Sequence, residues 1–136
     1  MKKTLVVLIC LLAAVALEAQ TIEPATWSMF EMTYVMGEET QTFSEEMMKT
    51  EGASTDYFFM EEGKFRQTSN MSGSGIMETY EGTWKTDGNM LIITLLIGER
   101  QMDVDYTWQM KEKVLMLSRT APDGSMKIVM SFRKTA

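Results

Sequence analysis

Thioether sulfur is the most abundant chemically distinctive group in this chain. Its 136 residues include 15 methionines, and all but Met1 lie between Met29 and Met130. Thioethers are soft ligands that suit ions such as Cu(I), and Met29, Met32 and Met36 are closely spaced. On a regular strand, Met29 faces away from Met32 and Met36, so a sulfur cluster would require several strands to converge. The same residues fill a core, or line a ligand wall, with adaptable side chains and no metal. Core filling is the reading adopted here, with no metal site assigned. Asp103 and Asp105 share a strand face and are of a type that can bind a cation or move a proton. Their polar neighbours, Gln101, Thr107 and Gln109, mark that face as solvent-facing.

Composition removes most other site chemistry. The chain has no histidine, and its one cysteine, Cys10, lies within an N-terminal apolar run. Ser-His-Asp and Cys-His nucleophiles, His-ligated zinc and His proton relays are therefore excluded. No catalytic residue and no cofactor are assigned, and the chain is not expected to be an enzyme.

The N-terminus reads as a bacterial export leader. Lys2 and Lys3 precede the apolar run Leu5 to Ala16, which is too short to span a bilayer as a helix. Ala14-Val15-Ala16 and Ala19 are both cleavage signals, and a cut after Ala19 is preferred. The expectation is a signal peptide at 1–19 and one domain at 20–136, exported to the periplasm or the extracellular space. No stable membrane insertion is expected after the leader is removed. The net charge of −6 becomes more negative once Lys2, Lys3 and Glu18 are lost. That balance disfavours nucleic acid and anionic lipid as partners. With no cysteine in 20–136, the core must hold the fold without disulfides.

The elements that position side chains in such a domain are strands. Short apolar or alternating runs recur along the chain, separated by turn residues, which predicts an antiparallel meander and not βαβ units. Eight strands are expected: Trp27–Met36, Thr55–Met60, Lys64–Asn70, Ile76–Thr86, Met90–Ile97, Gln101–Met110, Val114–Thr120 and Ser125–Lys134. Gly37-Glu38-Glu39 ends the first strand, Ser72-Gly73-Ser74-Gly75 makes a flexible turn, and Asp87-Gly88 is a strong hairpin signal. One short helix is expected between the first two strands. Ser44 caps it, Glu45 and Glu46 occupy its first turn, and Gly52 ends it. Phe43 and Met48 have the spacing of a hydrophobic staple. Eight strands joined by tight turns predict an all-β, antiparallel up-and-down barrel, whose closure removes exposed edges. A two-sheet sandwich is the alternative.

The stretch Tyr80-Glu81-Gly82-Thr83-Trp84-Lys85, followed by Asp87-Gly88-Asn89 and the apolar run from Met90, resembles the small secreted lipocalin-like domains of bacteria. Val114-Leu115-Met116-Leu117-Ser118, Pro122-Asp123-Gly124 and the terminal Phe132-Arg133-Lys134 extend the resemblance over about Trp27 to Lys134. True lipocalins carry Gly-x-Trp on the first strand, whereas Trp27 here follows Ala25-Thr26. The resemblance implies a lipocalin-like barrel that binds a small apolar or amphipathic molecule, and it transfers no catalytic residue.

Candidate ligand-binding residues follow from the inward phase of the expected strands. They are Tyr34, Tyr80, Trp84, Tyr106 and Trp108, with Met130 and Phe132 from the last strand. An eight-stranded barrel can fill its interior or hold one small ligand, and both readings stay open here. Arg119 is in phase with Leu115 and Leu117, where a guanidinium would suit a ligand carboxylate; in the opposite phase it is a solvated strand end. The fifth strand, Met90 to Ile97, is apolar on both faces. Its outer face is expected to be covered by the helix or by another molecule. The second case makes the domain an interaction module that contacts a partner, or itself as a homodimer, with a filled core.

Overall fold

Strand pairing follows the chain almost without exception. A computed structural model describes residues 22–70 and 75–135. The leader assigned to 1–19, and most of the turn at Ser72 to Gly75, lie outside the described residues. The strands are β1 (Ala25–Met36), β2 (Glu39–Phe43), β3 (Ser54–Phe59), β4 (Lys64–Asn70), β5 (Glu78–Asp87), β6 (Met90–Ile97), β7 (Arg100–Lys111), β8 (Val114–Thr120) and β9 (Met126–Lys134). Helix α1 (Glu45–Glu51) connects β2 to β3. Every pairing is antiparallel, and β1 pairs with β9 over Trp27 to Met36, which closes the sheet. Eight of the strands make the expected up-and-down barrel, with one short helix after the first hairpin.

The ninth, β2, was not legible from its residues. It folds back on β1, pairing Phe43 with Met32 and Glu39 with Met36. The opening half of β1, Ala25 to Ser28, pairs with β3 on the same edge. Thus β2 and β3 share one edge of β1, and α1 bridges the interval between them. Ser44 Oγ accepts from the Met47 N–H at 3.3 Å, and Gly52 closes the helix in a left-handed conformation. A helix of under two turns does not persist alone. This one is held by Met48, which is buried, and by Arg133. The Arg133 guanidinium binds the Glu45 carboxylate at 2.9 Å and lies 3.9 Å above the Phe30 ring.

A bulge in β1 corrects the strand phase expected there. The register against β9 shifts between Met29 and Glu31. Trp27 and Met29 point inward before the shift, and Met32 and Tyr34 after it, so Met29 shares the interior with Met32. Phe30 moves outside, under Arg133.

The two ends of the barrel differ. At one end lie the start of β1, the β3–β4, β5–β6 and β7–β8 turns and the end of β9. This end is packed solid. Phe59, Phe65, Phe132, Leu91, Leu115 and Leu117 are at most 1% exposed, and each such burial contributes about 1.5–3 kcal/mol. Tyr57 lies against Phe132, with ring centroids 4.7 Å apart, and edge-on to Phe65 at 5.3 Å. At the other end lie the β1–β2 and β6–β7 hairpins, the β4–β5 connection and the β8–β9 turn. We call it the open end.

The outer face of β6 is not roofed by the helix, which packs on β1. Met90, Ile92 and Thr94 are half-buried among flanking side chains such as Lys85 and Asp105, while Leu96 is exposed.

Candidate site at the open end of the barrel

The inner face of the open end carries methionine and aromatic side chains, of which Met32 and Met48 belong to the buried core and Tyr34 and Phe43 pack against it. Met32, Tyr34 and Met36 come from β1, Gln41 and Phe43 from β2, Met48 and Glu51 from α1, and Met126 from β9. With Ala53 they wall a cavity of about 410 Å³. The register explains this wall: Met36 faces Met126 across the β1–β9 ladder, and Met32 faces Met130. Tyr34 and Phe43 meet edge to face with centroids 6.0 Å apart. The staple pair, Phe43 and Met48, thus lines the cavity from both ends of the α1 entry turn.

Met36, Ile76, Met77, Leu96, Ile97 and Met102 are exposed large apolar residues at this end of the barrel, and of these Met36 lines the cavity.

The sequence candidates divide between the two ends. Trp84 and Trp108 lie toward the packed end, where each indole N–H donates to a turn carbonyl: Trp84 to Met60 O at 2.9 Å and Trp108 to Gly88 O at 3.0 Å. They pin the turns that seal that end. Phe132 is fully buried in the same core, and Met130 lies above it, buried beside Met32. The third indole, Trp27, is buried with its N–H unpartnered. Tyr106 sits at mid-height beside Tyr57, whose hydroxyl is held well above the usual tyrosine range, first by burial and then by the neighbouring Tyr106. Tyr80 is half-buried on the inner face of β5, against the core, and donates to the Glu78 carboxylate at 3.1 Å. That bond, with the Glu78 charge, raises the Tyr80 hydroxyl pKa. Of the named candidates only Tyr34 lines the cavity.

Arg119 is not part of it. The β7–β8 ladder stops at Thr107 and Ser118, so the two strands part just where Arg119 begins. The side chain borders a separate polar groove on the outer wall, with Asp103, Asp105, Thr107 and Lys127. Asp103 accepts from the Thr94 hydroxyl at 2.7 Å, as a solvated strand face would do. Among the described residues, no group of three or more His, Cys, Asp or Glu side chains could hold a metal ion, and no helix is long and apolar enough to cross a membrane.

Gln41 and Phe43 escaped the sequence reading because β2 did. The usable signal was the Phe43–Met48 staple, which ties the helix entry to the inner face. No family model matches the chain, and no curated protein is significantly similar to it.

Proposed function

We propose that the chain is an exported, lipocalin-like, non-enzymatic binding protein that takes a small apolar or amphipathic molecule at the open end of its barrel. The observation that carries this reading is the cavity of about 410 Å³ walled by Met32, Tyr34, Met36, Phe43, Met48 and Met126. Small-molecule sites are concave, mostly apolar, and about 300–1,000 Å³ in volume. Thioether side chains suit a wall that must adapt to a flexible chain. Gln41 and Glu51 at its edge supply polar contacts for a ligand head group. The packed half beneath gives the wall a rigid floor.

Native mass spectrometry of protein purified from its own host tests the reading. The expected result is a non-covalent adduct of small-molecule mass that disappears in Ala53→Trp, whose indole fills the cavity. An adduct that persists in Ala53→Trp would place the ligand elsewhere. A second reading, contact through the outer face of β6, has one observation in its favour, the exposure of Leu96 beside half-buried Ile92.

A further inference from the structure

The barrel wall is split at the open end, between β7 and β8. β7 has 12 residues and β8 only 7. β8 turns back at Ala121, whose N–H donates to Met126 O at 2.8 Å. Pro122 follows, with no N–H to carry a ladder further. β7 is paired with β6 from Arg100 to Thr107, whereas its ladder to β8 covers only Thr107 to Lys111. Arg100 to Tyr106 therefore form an open sheet edge. It borders the groove of about 550 Å³ that Asp103, Asp105 and Thr107 share with Ser118, Arg119 and Lys127.

One hydrogen bond fixes the direction of the main-chain groups along this edge. The Trp108 N–H points to β6, where it donates to Asn89 O at 2.8 Å. In an antiparallel ladder, alternate residues turn both N–H and C=O toward the same neighbouring strand. Tyr106, Val104 and Met102 thus face β6, and Thr107, Asp105, Asp103 and Gln101 face the β8 side. Thr107 meets Ser118 there. Among the described residues, the main-chain groups of Gln101, Asp103 and Asp105 have no partner on that side. A row of unpaired edge groups is a template for one more strand, and extended peptides bind by adding to such edges.

Side chains along the edge decide which strand fits. Asp103 and Asp105 point outward and are exposed, and outward residues of an added strand would stand directly opposite them, with Cβ atoms about 4.5–5.5 Å away. Opposite charge is favoured there and like charge is not. Full overlap with a second copy of the chain would set Asp103 against its own counterpart, so the edge rejects itself. The chain's net charge of −6 also draws cationic segments toward it. Arg119 and Lys127 stand on the far wall, but Arg119 has the inward phase of Leu115 and Leu117, and Lys127 belongs to β9, one strand beyond β8. On the inner face, Met102 and buried Val104 would flank the alternate residues of the added strand. We propose that β7 takes up an extended basic segment of a partner polypeptide as an added strand, with Lys or Arg opposite Asp103 and Asp105 and apolar residues between them. None of the groove residues lines the open-end cavity, so this proposal does not rest on the amphiphile reading.

The test is titration of the protein with a capped, fluorescent peptide of strand length, about six residues, in which lysine alternates with valine. Binding is read by anisotropy, and its place by amide hydrogen exchange. The expected result is saturable binding that slows exchange at Gln101, Asp103 and Asp105 and leaves Val104 and Tyr106, already bonded to β6, unchanged. The glutamate-for-lysine peptide should bind about tenfold more weakly, since each cross-strand charge pair changes sign. A lysine peptide N-methylated at its lysines should not bind, because it cannot donate to the edge. Asp103→Pro removes one edge N–H and spares the β6 ladder, a position where proline is tolerated, and should abolish binding. Asp103→Asn with Asp105→Asn should keep binding but lose the preference for lysine. No binding of the lysine peptide would overturn the proposal. So would equal binding of the glutamate or N-methylated peptide, or protection confined to other strands. Self-association of the parent with protection of the same amides would assign the edge to a second copy and overturn it too. If Asp103→Pro fails to fold, the parent's exchange pattern and the N-methylated peptide decide the question.

Discussion

Gly82 lies on the inner face of β5 between Tyr80 and Trp84, opposite Leu95 of β6. A Cβ added there would stand 1.8 Å from Thr94 O, 2.8 Å from Thr94 C and 3.1 Å from Leu95 Cα. Ordinary contact begins beyond 3.4 Å, so the β6 backbone would have to retreat by well over 1 Å. It cannot do so cheaply, because β6 is laddered on both sides, to β5 and to β7. Overpacking of this kind costs about 1–3 kcal/mol, and a lost ladder hydrogen bond adds about 1 kcal/mol. Gly82→Ala should therefore destabilise the domain by about 3 kcal/mol, lowering Tm by about 12 °C at roughly 4 °C per kcal/mol for a domain of this size. Thermal unfolding followed by tryptophan fluorescence reads this directly, since Trp27, Trp84 and Trp108 all belong to or pack on the core. A Tm for Gly82→Ala within about 2 °C of the parent's, on the same scale, would refute the close approach of β5 and β6.

Three further outcomes follow from the same geometry. The Arg133 guanidinium, through its hydrogen bond, holds the Glu45 carboxyl below its usual range. The folded pKa is thus lower than the unfolded one, so this stabilisation is full above the ordinary value of 4.5 and is lost as pH falls below it; an acid titration of Tm should be slightly steeper for the parent than for Glu45→Gln. Ile93→Lys, at a site 1% exposed, should cost several kcal/mol by burying an unpaired charge, whereas Leu96→Lys, at a site 50% exposed, should leave stability unchanged; a fall in mass on light scattering for Leu96→Lys alone would identify the outer face of β6 as a contact between copies. N-terminal sequencing of exported protein should begin near Gln20, and a start at a lipid-modified Cys10 would contradict the leader assignment.

The barrel was legible because its strands carry strong two-residue alternation or dense apolar runs. Val104, Tyr106 and Trp108 of β7 and Met126 to Phe132 of β9 place their apolar sets on the inner face as expected, while Met102 and Met110, at the two ends of β7, are exposed. The helix was legible from its caps, since Ser44 and Gly52 bracket it as read. What escaped was local and physical. β2 is Glu-Thr-Gln-Thr-Phe, polar on its exposed residues, and its pairing owes more to the hairpin at Gly37 than to any apolar pattern. The β1 bulge inserts one residue into an alternation that otherwise reads straight through Phe30. Methionine abundance reads first as core filling, with a ligand-lining wall as the lesser alternative, while the large aromatics draw attention to Trp84 and Trp108, whose indoles bond to turns of the packed end. A sequence periodicity tells inside from outside, and does not tell one end of a barrel from the other.

The central claim is that the open end holds an apolar ligand among Met32, Tyr34, Phe43, Met48 and Met126. The most direct measurement is an equilibrium titration of the parent and of Ala53→Trp with a long-chain fatty acid, read by displacement of an amphiphilic naphthalene dye. The account predicts saturable one-to-one binding by the parent, with affinity reduced at least about tenfold in a folded Ala53→Trp, a loss of about 1.4 kcal/mol. Equal affinity in the two proteins, or no binding by either to the fatty acid or the dye, would contradict it.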